Sequence, residues 1–219
     1  MSAVRIPKSG KRLDTLATLA ALHRRLDACR ACPNMIGPVV HGPAIASKVM
    51  LVGQAPGPRE GGFGRPFAWT AGKTLFRWFA ESLGVGEDRF RQRVYMAAVA
   101  RCFPGKATGG GDRRPDADEI ARCRTFLEEE VRILKPELVL AVGTLAITEI
   151  LGEHARKKKL DTIVGRKQRV RWFGQEVDVV ALPHPSGASP WHKLEPGKTL
   201  LAQALEIVKR HPSTSAAFA

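Results

Sequence analysis

With 219 residues, 44% of them hydrophobic and 26% charged, the chain has the composition of a globular protein and the length for one well-buried core, or at most two small ones. Lysine and arginine number 35 against 21 acidic residues, a formal charge of +14, which points to a polyanionic partner: nucleic acid first, an anionic membrane surface second. No apolar run reaches the length of a membrane span and the N-terminus lacks a signal-peptide core, so a cytoplasmic location is expected, and there four cysteines suit a metal or cluster better than disulfides.

Residues 1–12 carry Arg5, Lys8, Lys11 and Arg12 without an apolar period and are expected to form a basic flexible arm ahead of a domain spanning 13–210. Leu16, Leu19, Leu22 and Leu26 repeat every three or four residues, the pattern of an amphipathic helix, and this helix runs into Cys29-Arg30-Ala31-Cys32. A linker punctuated by proline and glycine follows. Val49 to Val52 reads as a buried strand stopping at Gly53.

Pro56, Gly57, Gly61, Gly62, Gly64 and Pro66 exclude regular structure from the next stretch, and Leu75, Phe76, Trp78 and Phe79 then mark a helix from about Ala71. Strand, glycine-rich loop and helix in that order present backbone N–H groups at the carboxyl end of a sheet, where open α/β folds bind ligands. A plain structural connection would look the same. Gly72-Lys73-Thr74 is not a phosphate-binding P-loop, because Phe67 stands where that motif needs its first glycine. Gly197-Lys198-Thr199 fails in the same way, at His192.

Val94 to Ala100 is a second strand candidate ending at Arg101-Cys102, and a basic loop with Gly109, Gly110 and Gly111 follows. Ile120, Cys123, Leu127 and Val131 give helical spacing from Asp116 to Leu134, with acidic residues at the positive end of the dipole. Leu138 to Gly143 is a third strand and 144–151 a helix. Val170–Trp172 and Val177–Leu182 form either a hairpin or successive strands, the second ending at Pro183-His184-Pro185-Ser186. A helix over 199–208 closes the domain, and residues 211–219 are expected to be a disordered tail. Alternating strands and helices specify one α/β domain with a mainly parallel sheet.

Cys29 and Cys32 form a CxxC pair; Cys102 and Cys123 lie far down the chain with twenty residues between them. A four-thiolate site requires only that the first helix pack near the loop after the second strand. Zinc and an iron–sulfur cluster both accept such ligands, and the spacing does not choose between them. Two unrelated buried cysteines beside a helix-end CxxC are the alternative.

The ordered set CxxC, Gly53-Gln54-Ala55-Pro56-Gly57, Gly64-Arg65-Pro66-Phe67 with Ala71-Gly72, Cys102, Cys123 and His184-Pro185-Ser186 resembles the iron–sulfur uracil-DNA glycosylases, family 4 of that superfamily. The resemblance extends from Cys29 to about Lys193. It implies a single-domain α/β/α sandwich with a central four-stranded parallel sheet, and a [4Fe–4S] cluster on Cys29, Cys32, Cys102 and Cys123 (zinc being the other candidate). The implied reaction, carried out by a monomer, is hydrolysis of the N-glycosidic bond of a flipped-out uracil in DNA.

Carried over by position, Gly53, Gln54 and Ala55 would line the sugar and the attacking water. Phe67 would stack on the base, where stacking is typically worth about 1–3 kcal/mol. His184 would donate a hydrogen bond to the base carbonyl that gains charge as the bond breaks. Gly72, Lys73 and the loop with Ser186, Gly187, Ser189 and Trp191 would contact DNA, Trp191 as a candidate wedge.

Three departures from the family pattern bear on function. Gln54 stands where glutamate is usual and Ala55 where other families place an aspartate, so this motif has no carboxylate to act as a general base. Ala98 replaces the asparagine that pairs with the uracil edge, which predicts relaxed selectivity towards 5-substituted uracils and deaminated purines. The sequence after His184 is closer to the loops of other superfamily members. Two further readings remain open: a lesion-binding protein without useful turnover, and a zinc-stabilised nucleic-acid-binding domain.

Overall fold

In the computed structural model, which describes residues 9–187 and 189–219, four parallel strands form the centre of the molecule. These are β1 (Val49–Gly53), β2 (Tyr95–Ala98), β3 (Leu138–Val142) and β5 (Gln175–Leu182), with β4 (Lys167–Trp172) pairing antiparallel to β5. The sheet order is β2-β1-β3-β5-β4. Every residue of β1, β2 and β3 is buried, as expected of apolar runs covered on both faces by helices. The fold is a single-domain α/β/α sandwich. Its sheet has five strands where four were expected, because the segment before β5 folds back as a hairpin through Phe173 and Gly174, both at positive φ.

The helices are α1 (Ser9–Asp27), α2 (Glu60–Phe63), α3 (Thr70–Leu83), α4 (Glu87–Arg93), α5 (Ala117–Leu134), α6 (Thr144–Leu151), α7 (Gly197–Arg210) and α8 (Pro212–Phe218). α1 buries Leu19, Leu22 and Leu26 and packs on α5. α5 starts at a capping box in which Asp116 accepts from the Glu119 N–H and Glu119 accepts from the Asp116 N–H. Among the described residues no helix is long and apolar enough to cross a membrane.

Several boundaries differ from expectation. Residues 9–12 belong to α1 and not to an arm, while residues 1–8 lie outside the described residues. α2 is a helical turn inside the glycine-rich stretch. α4 is largely polar and is fixed by one buried residue, Phe90, whose ring stacks 4.3 Å from Phe79. The expected disordered tail is α8. His211 accepts from the Ser213 N–H, Ser213 Oγ donates to Glu137 at 2.6 Å, and Phe218 approaches Phe90.

Candidate active site and cysteine pocket

Two loops and a strand end meet over the carboxyl ends of neighbouring strands β1, β3 and β5. The first loop leaves β1 at Gly53. A Cβ on Gly53 would stand 2.9 Å from Cζ of Phe67, so glycine admits the ring against the strand end. Phe67 has φ of 54°, a left-handed conformation uncommon for a bulky residue. Surrounding contacts over-determine it. Gly72 lies so close beneath that a Cβ there would fall 1.7 Å from the Phe67 carbonyl oxygen. Arg91 of α4 donates from Nη1 to the Pro66 carbonyl and from Nη2 to the Phe67 carbonyl, both at 2.9 Å, with its guanidinium over the Phe76 ring.

Glu60 closes the same loop from inside. Its carboxylate accepts from the Gly57 N–H at 3.0 Å and the Ala68 N–H at 2.9 Å, joining the two ends of the glycine-rich stretch. Burial pushes the Glu60 pKa upward, while the two N–H donors and Arg91 oppose that shift. Neither Glu60 nor Arg91 stands out in the sequence, since each acts through backbone groups whose positions depend on the turn.

The second loop follows β5. His184 lies against Gly143, whose φ is 84° and whose added Cβ would be 3.1 Å from His184 Cδ2. The Ser186 N–H donates to His184 Nδ1 at 3.3 Å. Burial lowers the His184 pKa, so the ring is neutral at pH 7, and a neutral ring accepting at Nδ1 carries its proton on Nε2. The imidazole is thus a fixed neutral donor.

The strand end is that of β2. Ala98 pairs with Gly53 and is buried, and half-buried Gln54 and Ala55 follow Gly53. Lys73 is exposed in the first turn of α3, Gly187 is exposed, and Ser186 and Ser189 are half-buried; Ala188 lies outside the described residues. Two expected DNA contacts are placed differently. Gly72 is buried under Phe67, where it serves the turn. Trp191 packs against Gly197 at the start of α7 and donates Nε1–H to Asp161 at 2.8 Å, so its ring is held in the fold and does not project as a wedge. Beside the glycine-rich loop the exposed rings of Phe63 and Trp69 stack at 5.8 Å, with the Arg59 guanidinium 4.8 Å from the Trp69 ring.

All four cysteines are free thiols, and all four line one cavity of about 400 Å³ together with Arg30, Pro38 and Arg101. The linker after the CxxC pair is stitched to the loop after β2: Ile36 and Phe103 exchange backbone hydrogen bonds at 2.8 and 2.9 Å, and the Val40 N–H donates to the Arg101 carbonyl. α1 on α5 supplies the other approach, reinforced by Arg25 donating to both Glu129 oxygens. This is the packing that a four-thiolate site requires. Among the described residues no three His, Cys, Asp or Glu side chains are gathered at the spacing of a single metal ion. The thiols surround a space and do not converge on a point. Burial, followed by the neighbouring thiols, raises the Cys102 pKa to about 11, so a cationic centre is needed to hold it as thiolate. Arg101, which lines the same cavity, has its buried Nη1 without a partner among the described residues.

Behind the cavity runs a buried polar chain. Arg101 Nη2 pairs with Glu130 at 2.5 Å, Arg101 Nε donates to the Ala98 carbonyl, Tyr95 donates to Glu130, and His23 Nε2 meets the Tyr95 hydroxyl at 2.8 Å. The two regions touch at Pro38, which lines the cavity and blocks a Cβ on Gly61 of the glycine-rich loop at 2.8 Å.

Comparison with known proteins agrees with this geometry. A family model described as the uracil DNA glycosylase superfamily matches residues 39–209. A type-4 uracil-DNA glycosylase of Pyrobaculum aerophilum is 31% identical over 174 residues, 77% of this chain and 83% of that protein. A type-4 enzyme of Sulfurisphaera tokodaii is 31% identical over 144 residues, 65% of this chain and 61% of that protein. A type-5 uracil-DNA glycosylase of Pyrobaculum aerophilum is 26% identical over 85% of this chain and 88% of its own length.

Proposed function

The chain belongs to the uracil DNA glycosylase superfamily, and from that membership we propose that it hydrolyses the N-glycosidic bond of uracil in DNA, leaving an abasic site. The observation that carries this reading is the pairing of Phe67, seated on Gly53, with His184, seated on Gly143, above the ends of adjacent strands. A flipped-out uracil would stack on Phe67 and present a carbonyl oxygen to His184 Nε2–H. As the bond breaks, its electron pair moves onto the base. A donor already in place stabilises that charge without reorganisation, and losing one such donor costs about 3–4 kcal/mol. Gln54 would hold water beside the sugar. The buried methyl of Ala98 offers no hydrogen bond to the base edge, which supports a base range wider than uracil alone.

DNA would approach across Lys73, Ser186, Gly187, Ser189 and the Arg59–Trp69–Phe63 platform, whose exposed rings suit an unpaired base next to the lesion. That the four thiols line one cavity without converging on a point supports a [4Fe–4S] cluster over one zinc ion. A zinc ion with four bonds of about 2.3 Å would draw the sulfurs to one point, whereas here they border a space of about 400 Å³. Cys29, Cys32, Cys102 and Cys123 would hold the cluster, and the free Arg101 Nη1 would balance part of its negative charge. When bound, it would tie the linker, the loop after β2 and α5 together.

The test is a labelled oligonucleotide with a single uracil, incubated with the protein and then treated with alkali. Strand breaks that vanish in His184→Ala establish the activity. No breaks from a brown, DNA-binding preparation would favour the lesion-binding reading that the missing motif carboxylate suggests.

A further inference from the structure

The glycine-rich loop contains no carboxylate that faces the reaction, because Glu60 is spent on Gly57 and Ala68. A different loop brings one to the same place. Residues 105–113 form a small hairpin in which Lys106 and Asp112 are bridged, the Ala107 N–H donates to the Gly111 carbonyl at 3.1 Å, and the Arg113 N–H donates to the Gly105 carbonyl at 2.9 Å. Gly105, Gly110 and Gly111 adopt positive φ, which lets the chain double back this tightly.

The hairpin is fastened at its base. Arg113 is bidentate to Glu119 at 2.8 and 2.6 Å and reaches the Asn34 carbonyl at 3.2 Å, which anchors it to α5 and to the cysteine linker. Asp112 points from this hairpin towards the Gly53–Gly57 motif. Its Oδ2 lies 3.7 Å from where a Cβ on Gly57 would stand, while Oδ1 is held by Lys106 Nζ at 2.6 Å. Among the described residues Oδ2 has no hydrogen-bond partner. The same charge is felt at His184, where it opposes the larger effect of burial.

We infer that the Asp112 carboxylate, placed across from Gly57 by the 105–113 hairpin, positions the attacking water and accepts its proton. The inference rests on the reaction proposed above. The bond between C1′ and the base nitrogen breaks, its electron pair leaves with uracil, and the developing base anion is met by His184. Water oxygen then bonds to C1′ of the cationic sugar as one water proton passes to Asp112 Oδ2. Lys106 Nζ holds Oδ1 and so orients Oδ2 towards the motif. A carboxylate from another loop thereby serves a motif in which Gln54 and Ala55 offer none, and this makes those residues compatible with turnover.

Single-turnover uracil release from a single-stranded oligonucleotide, measured for wild type, Asp112→Asn and Asp112→Ala, tests this. Both variants are expected to keep the wild-type melting temperature and substrate Kd and to lose about 100-fold or more in rate, the usual contribution of a positioned base. Formate is expected to restore part of the rate to Asp112→Ala and none to Asp112→Asn, a response that a merely structural aspartate would not give. Variants that cleave within a few-fold of wild type, or that lose affinity at unchanged rate, overturn the role of Asp112 and leave the reaction standing. A wild-type protein that releases no uracil overturns the reaction itself.

Discussion

Two buried glutamates, Glu60 and Glu130, organise the two halves of the functional region, and they do so in opposite ways. Glu130 is fully buried, and both its oxygens are met by side chains, Arg101 and Tyr95, from β2 and the residues just after it. Glu60 is met by backbone N–H groups at either end of one loop. The first arrangement ties α5 to the sheet behind the cysteine cavity. The second sets the shape of a loop and therefore where Phe67 stands. A buried carboxylate bonded to distant side chains is part of the core, whereas one bonded to neighbouring amides is part of a site.

The comparison is broken most directly by removing Glu130. Glu130→Ala would leave the Arg101 charge buried without its partner, a loss of about 3–5 kcal/mol, and should lower the unfolding free energy by that order in denaturant titrations. Uracil release per folded molecule should stay near wild type, since Glu130 touches nothing above the strand ends. His184→Ala should do the reverse, with a cleavage rate lower by about 10²–10³ and an unchanged melting temperature. Glu60→Gln falls between. An amide can accept from only one of the two N–H groups and turns its NH₂ towards the other, at a cost of about 1–3 kcal/mol. Because that cost falls on the loop, the cleavage rate should drop by more than the global stability does. An equal fall in both would make Glu60 a core residue like Glu130 and erase the distinction.

The sequence was legible where one element suffices to state the chemistry. Apolar runs at 49–52 and 138–142, each stopping at a glycine, read as buried strands, and the glycine at 53 and the histidine at 184 lie in motifs whose order is informative. The pairing of β4 with β5 stayed ambiguous because a hairpin and two successive strands share the same alternation. That the four cysteines line one cavity depends on Ile36 bridging Phe103 and on α1 packing on α5, contacts that the spacing does not state. Glu60, Arg91 and Asp112 were invisible for a different reason. Their partners are backbone groups or loop faces that exist only after the turns have formed, and a charged residue beside glycines (Glu60, Asp112) or among other charged residues (Arg91) looks solvated. α8 carries no pattern in the sequence because most of its residues are small; its order comes from Glu137, Asp178 and Phe90, all remote in sequence.

The smallest expected effect sharpens the Glu130 side of the comparison. Tyr95 gives its proton to Glu130, so His23 Nε2 must donate to the phenol oxygen, and the ring remains neutral. Burial is the largest cause of its lowered pKa, followed by His41 and Arg101, and together they bring it to about 4. An unfolded chain protonates its histidines near pH 6.5. Between these values the unfolded state binds the extra proton and the folded state does not, so stability rises with pH across this window and is lost as pH falls from about 6.5 towards 4. His184 and His192, also lowered by burial, act in the same direction and set a background slope. His23→Gln retains a donor for Tyr95 but cannot titrate. Its melting temperature should therefore fall less than that of wild type between pH 7 and pH 5, while the two proteins differ little at pH 7. Parallel curves would mean that the Tyr95–Glu130 chain tolerates a charged His23. The network would then serve as a packed polar contact without the electrostatic exclusivity that sets it apart from the Glu60 loop.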